Sequence, residues 1–290
     1  MENKTIRFVK MNPSGNTTIL ALDPVPIDRR ARIARELMGG LGVGAEQVGF
    51  YIRQDGSPRL EMAGGEFCGN ATRCFGAWLA CGYLPHSPFE TPVWREPAQG
   101  FSETVVFESS GSREPISVSL LQTDRGLRAS AAMPLPTRLS RGVDSVLGAY
   151  SIVGFEGITH VILWDKPADE MLLSPAARVA ESQGFPVNAL GLLFCDLSNR
   201  RLIPLIRIEE VGSLVWESSC GSGSAAVACA LTVEGKSAAR GLELAQPGGV
   251  LGVSASYDEE SAAGVSGVTL TGTVWVNVLG VYYPTASPNK

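Results

Sequence analysis

One local pattern occurs twice in this chain. Glu66-Phe67-Cys68-Gly69-Asn70-Ala71-Thr72 runs into an apolar helical stretch, and Glu217-Ser218-Ser219-Cys220-Gly221-Ser222-Gly223-Ser224 runs into another. Two like motifs, one in each half of 290 residues, imply two similar lobes with a cleft between them. In each motif a cysteine opens a helix, where backbone N–H groups lack intrahelical partners and their partial positive charge favours a thiolate. The glycine that follows lets the backbone approach a ligand closely. The same N–H groups can receive a carboxylate and stabilise charge flowing into it when Cα loses its proton. One thiolate would take that proton from one face, and the opposite thiol would return one to the other face. Two thiolates close together repel, so the singly ionised pair is the working state. Pyridoxal phosphate would be another electron sink, but it needs a Schiff-base lysine. No phosphate-cradling glycine loop with such a lysine is evident.

The rest of the chain reads as an alternation of short strands and helices. Thr5 to Lys10 and Thr17 to Leu22 read as strands around the polar turn Asn12 to Asn16. Asp28 can cap a helix whose apolar face is Ala31, Ala34, Leu37 and Met38, ending at Gly39-Gly40. Gln47 to Arg53 and Arg59 to Met62 return to strand character, and Gly69 to Cys81 is helical. Ser87 to Gln99 reads as a loop, followed by strands over Thr104 to Phe107, Ile116 to Leu121 and Leu127 to Ala132. Met133-Pro-Leu-Pro136 breaks the pattern. The expected lobes are therefore 1–133 with 276–290, carrying Cys68, and 134–275, carrying Cys220. In the second, His160 to Leu163, Leu190 to Leu197 and Leu202 to Ile208 read as strands, and further strands close the chain, Val274 to Tyr283 being the clearest. Ser174-Pro175 starts one helix and Gly223 to Val233 forms another.

With 44% hydrophobic and 18% charged residues the chain is in the range of soluble globular proteins. A net charge of -5 without a Lys/Arg cluster argues against a nucleic-acid or anionic membrane partner. No signal-peptide core and no membrane-length apolar run is present, so the expected compartment is the cytoplasm, with thiols reduced. The six cysteines show no CxxC spacing, and His86 and His160 are far apart, so no metal site is expected. Cys74, Cys81, Cys195 and Cys229 read as core residues. His160 reads as structural or as a support of the site, and Glu66 as capping or solvated.

The motifs Asn12 to Asn16, Gly44 to Phe50, Glu66 to Thr72, Pro204 to Ile208, Trp216 to Ala225 and Gln246 to Gly249 together resemble the diaminopimelate epimerase superfamily, which includes proline racemases and a histidine racemase. The flanking motifs are most similar to the histidine racemase of staphylopine-type metallophore pathways. The resemblance implies an α+β fold of two pseudo-symmetric lobes, each a barrel-like sheet around a central helix, with the active site in the cleft between them. It implies no cofactor, an amino acid as substrate, and a homodimer, since family members are often dimers. By position, Cys68 and Cys220 match the catalytic pair. Asn16 and Gln47 match substrate contacts, Glu217 the glutamate before the second cysteine, and Gly69, Asn70, Gly221 and Ser222 the carboxylate cradle.

Diaminopimelate epimerases carry an arginine after that glutamate to hold the distal carboxylate, as a bidentate fork would. Here Ser218 stands in its place. A further family asparagine is replaced by Ile158 in Gly157-Ile-Thr-His160. Proline racemases usually have histidine where Asn70 stands. These departures, with Glu46 beside Gln47 able to accept from an imidazole N–H, favour histidine as the substrate. The alternatives are diaminopimelate epimerase, a broad-specificity racemase, a lobed isomerase working through a glutamate, and a non-catalytic amino-acid-binding protein whose cysteines form a redox clasp.

Overall fold

The strand β2 (Thr18–Ala21) is buried at every position, which requires cover on both faces of its sheet. The computed structural model describes residues 5–40, 42–209 and 212–285 and shows that cover. Ile19 and Ala21 pack with Ile33, Ala34 and Leu37 of helix α1 (Ile27–Met38). Leu20 faces the other way, into a cluster with Ala71, Cys74, Phe75 and Trp78 of helix α2 (Gly69–Cys81). Strand β1 (Ile6–Asn12) divides in the same manner, with Ile6 and Phe8 toward α1 and Val9 and Met11 toward α2.

The chain divides into two units, one reaching Ala131 and resuming at Thr273, the other Ala132–Gly272. The sequence reading put the boundaries at 133/134 and 275/276; its outermost segments, 1–4 and 286–290, lie outside the described residues. The first unit continues from β2 through β3 (Gln47–Gln54), β4 (Ser57–Met62) and the short pair β5 (Gly82–Tyr83) and β6 (Val93–Trp94). Strands β7 (Ser102–Ser109), β8 (Ile116–Thr123) and β9 (Gly126–Ala132) follow. Residues 275–282, near the end of the last strand, pair antiparallel with β1. Helix α2 is buried along nearly its whole length. Its Gly, Ala, Thr and Cys residues make this possible, since a helix without a polar face belongs inside. A Cβ at Gly76 would lie 2.7 Å from a Val118 methyl, so the helix sits closer to β8 than any larger residue permits.

The second unit holds β10 (Arg138–Asp144), β11 (Gly148–Phe155), β12 (Ile158–Trp164), helix α3 (Leu173–Ser182), β13 (Ala189–Asp196), β14 (Arg201–Ile208), β15 (Ser213–Trp216), helix α4 (Gly221–Gly235), β16 (Ala239–Gln246) and β17 (Gly249–Tyr257). Its strand path runs β10–β11–β12–β13–β14–β16–β17, with β15 on β14. The last strand, β18 (Val265–Tyr282), pairs with β17 through residues 265–271. Strands β11, β12 and β13 are mostly apolar and buried over their central residues. Leu173, Ala176, Ala177 and Ala180 of α3 pack in one cluster with Ile152, Val161 and Leu192, and α4 also packs against these three strands. The molecule is thus an α+β protein, mostly sheet.

Several elements differ from the sequence reading. Asp28 lies inside α1, which starts after Pro26 with no side-chain cap. The buried face of α1 uses Ile33, and Ala31 is exposed. Helix α3 begins at Leu173, before Ser174, because a 3₁₀ turn capped by Asp169 leads into it. The hairpin β10–β11 was not expected at all. No helix among the described residues is long and apolar enough to cross a membrane.

Candidate active site

Cys68 and Cys220 occupy equivalent local settings. Each is the N-cap of its helix in extended backbone conformation, Cys68 at φ -128° and ψ 108°, Cys220 at φ -110° and ψ 111°. The Cys68 sulfur accepts from the Ala71 N–H at 3.4 Å, and the Cys220 sulfur from the Gly223 N–H at 3.3 Å. One turn on, a hydroxyl donates back to each cysteine carbonyl, Thr72 to Cys68 and Ser224 to Cys220, both at 2.8 Å. Sulfur thus takes the place of the usual oxygen cap, and any negative charge it gains is met by the helix start. Cys68 is 8% exposed and Cys220 4%.

The first half-site gathers residues from three elements. From β3, the Gln47 carbonyl oxygen accepts from the Cys68 thiol at 2.6 Å; sequence matching made Gln47 a substrate contact, and here it holds the sulfur. Gly69 and Asn70 follow the cysteine, both buried. The Asn70 side-chain oxygen accepts from Arg73 Nη2 at 2.8 Å, and that nitrogen also donates to the Pro13 carbonyl at 2.8 Å. This ties α2 to the turn that presents Asn16, itself buried. The turn needs left-handed backbone at Ser14 (φ 75°) and Gly15 (φ 103°), and Asn12 Oδ1 accepts from the Gly15 N–H at 2.5 Å. Glu46 is exposed, its backbone N–H donating to the Thr17 carbonyl. Glu66 is also exposed, and its carbonyl accepts from the Ser110 hydroxyl at 2.9 Å.

The second half-site is held more extensively. The Cys220 N–H donates to Gln246 Oε1 at 2.8 Å, and Gln246 Nε2 donates to the Ser224 hydroxyl at 2.9 Å. The Gly248 N–H donates to the Ser218 carbonyl, so the turn after Gln246 clasps the segment before the cysteine. Ser222 Oγ lies 3.5 Å from the Cys220 sulfur and 3.0 Å from His160 Nε2. The Glu217 N–H donates to the Pro204 carbonyl. Burial pushes the Cys220 thiol well above its ordinary value, and the Glu217 carboxylate, by charge and hydrogen bond, adds to the rise. His160 is fully buried on β12, and burial lowers it to about 3, so the ring is neutral.

Sequence reasoning missed Arg73 and Gln246 as members of these half-sites. A signal existed for both: Arg73 is the single charge in a helix of small and apolar residues with only Asn70 and Thr72 polar beside it, and Gln246 opens the Gln246-Pro-Gly-Gly249 motif. Cys74, Cys195 and Cys229 are buried and pushed up to about 12 by that burial, as core thiols should be. Among the described residues, no three His, Cys, Asp or Glu side chains cluster as metal ligands would.

Known proteins resemble this chain in sequence and in fold. The solved structure of a Bacillus anthracis phenazine biosynthesis protein of the PhzF family superposes with a TM-score of 0.64 at 13% identity, covering 96% of this chain and 99% of that one. Histidine racemase from Staphylococcus aureus is 31% identical over 254 residues, 86% of this chain and 88% of the relative. Histidine racemase from Fusobacterium nucleatum is 29% identical over 232 residues, 77% of this chain and 80% of the relative. The family profile described as "Histidine racemase CntK N-terminal domain" matches residues 5–283. The chain therefore belongs to the histidine racemase family of the diaminopimelate epimerase-like superfamily of amino-acid racemases and epimerases.

Proposed function

We propose that this protein interconverts L- and D-histidine without a cofactor, with Cys68 and Cys220 as the two acid/base groups. The thiolate of one cysteine takes the Cα proton and becomes a thiol. The electron pair left behind spreads into the substrate carboxylate. The thiol of the other cysteine delivers its proton to the opposite face of Cα and becomes the thiolate, so protons balance and the reverse turn starts from the mirror state. Helix-start N–H groups at Gly69, Asn70, Gly221 and Ser222 receive the carboxylate as its charge grows. Asn16, Gln47 and Glu217 complete the polar lining. The observation that carries this reading is the pair of N-cap cysteines, each with its sulfur held by the i+3 N–H and its carbonyl by the i+4 hydroxyl.

The two pseudo-symmetric lobes implied by the resemblance belong to the same proposal. So do a cytoplasmic location and a role in making a histidine-derived metallophore. Glu46 is the specificity residue of this reading, its exposed carboxylate accepting from the substrate imidazole.

The test is incubation of the purified protein with L-histidine in heavy water, followed by proton NMR and chiral chromatography. Appearance of D-histidine with deuterium at Cα supports the reading, and loss of both in Cys68→Ser and in Cys220→Ser supports the two-base assignment. Histidine that keeps its Cα proton and its configuration overturns it. Turnover of diaminopimelate but not histidine overturns the substrate. A Glu46→Gln variant with unchanged KM for histidine removes Glu46 from the specificity argument.

A further inference from the structure

Arg73 is among the largest fully buried side chains in the molecule, at 0% exposure. Only its Nη2 is satisfied, by Pro13 and Asn70; Nε and Nη1 are buried with no hydrogen-bond partner. Taking a guanidinium out of water without a counter-charge is costly, so buried charges are paired or carry a function. Among the described residues, the groups that offset its burial are the sulfurs of Cys74 and Cys68, and none is a carboxylate. Cys74 has no exposure and a thiol pushed up to about 12, so it stays protonated near neutral pH. Cys68 is the sulfur at the helix N-cap, where anions are favoured.

We propose that Arg73 is the positioning residue of the first half-site, its buried guanidinium serving as counter-charge to the Cys68 thiolate and fixing the orientation of the Asn70 amide. The inference rests on Cys68 being one of the two acid/base groups. Because Asn70 turns its oxygen to Arg73, the amide nitrogen lies on the other side, the end that can donate to a carboxylate. The same guanidinium nitrogen holds Pro13, so the turn bearing Asn16 and the helix bearing Cys68 are fixed by one group.

Of the carboxylates nearest this end of α2 in the described residues, Glu66 and Glu46 are exposed to solvent, while the side chains packed on it are neutral. Gln47 comes from β3, and Thr18 from β2 bonds Cys74. The carboxylates of β7 are placed elsewhere, Glu108 on Arg59 and Glu103 near Cys81. The second half-site has the opposite character, since Glu217 and burial hold the proton on Cys220. Cys220 is thus the holder of the transferable proton, and Cys68, whose thiol donates to Gln47 before it ionises, is the sulfur whose thiolate Arg73 favours.

The test is peptide-resolved alkylation with iodoacetamide across pH, on the unaltered protein and on Arg73→Gln and Arg73→Lys. Glutamine removes the charge and can still donate to Pro13 or Asn70. The expected result is a Cys68 midpoint about one pH unit or more higher in Arg73→Gln, as removal of a nearby opposite charge produces. Arg73→Lys keeps the charge and should stay near the parent midpoint, with a raised KM because its single ammonium cannot hold both acceptors in the same geometry. In the unaltered protein Cys68 should react faster than Cys220 at pH 7. An unshifted Cys68 midpoint in folded Arg73→Gln, or faster reaction of Cys220 in the parent, overturns the proposal, and the second of these stands even if the variants fail to fold. A shifted midpoint in a protein that racemises nothing supports the electrostatic link and overturns the racemase reading. An unshifted midpoint in an active racemase overturns the link alone.

Discussion

The imidazole Nε2 of His160 lies 3.0 Å from the hydroxyl of Ser222, and that hydroxyl lies 3.5 Å from the sulfur of Cys220. A neutral ring and a hydroxyl in series give Cys220 a polarisable neighbour that bears no charge. Ser222→Ala should cut this series, lowering kcat by about tenfold, less than the roughly hundredfold or more that a direct proton-transfer group contributes. KM should change less, since backbone N–H groups at the helix start remain. Ser222→Thr, which keeps the hydroxyl, should retain most of the rate. Initial rates by chiral chromatography decide it, and an Ala variant as fast as the parent would disprove the link.

His160 also predicts how stability depends on pH. Its folded-state value is lowered by burial to about 3, from an ordinary 6.5. Between those values the unfolded chain binds a proton that the folded protein does not, so stability falls as pH drops from about 6.5 toward 3. Thermal melts of the parent should show this loss, and His160→Gln should flatten the curve over the same window. Parallel curves for the two proteins would mean that the ring is not buried as a neutral group.

Gly191 makes room for that ring. A Cβ there would lie 2.1 Å from His160 Nδ1 and 3.0 Å from an Ile206 methyl. Gly191→Ala must push the imidazole off its place, with an overpacking cost of about 1–3 kcal/mol. A lower Tm together with a lower kcat is the expected result, and a variant matching the parent in both would refute the packing argument.

Glu217 raises the Cys220 thiol second only to burial. Glu217→Gln removes the negative charge, so the Cys220 alkylation midpoint should move down, by about one pH unit for a near neighbour. A midpoint that stays or rises would show that Glu217 does not act on Cys220 through its charge.

The clearest part of the sequence was the part whose structure is local. Helix α2 runs over Gly69–Cys81, as the small apolar run between Cys68 and Gly82 suggests, because its N-cap, body and stop are all contiguous. The hairpin β10–β11 was illegible in its first strand. Arg138-Leu-Ser-Arg-Gly-Val-Asp144 is a partly exposed edge with no buried face, so it carries no alternation to detect. The cysteines and their flanking glycines were visible as motifs. The hydrogen bonds that hold them were not, because Gln47, Gln246 and His160 reach them from strands 21 to 62 residues away in sequence.

Residues 275–282 are the antiparallel partners of Ile6–Asn12. A ribosome makes β1 and its neighbour β2 early and its other neighbour after nearly everything else, so the N-terminal half waits with an open sheet margin while the intervening segment, 132–272, is already complete and free to condense. Biogenesis should thus proceed out of order, the first half synthesised being the last to close, with a slow step set by this long-range pairing. Nascent chains released before Thr273 would leave that margin unpaired and prone to self-association.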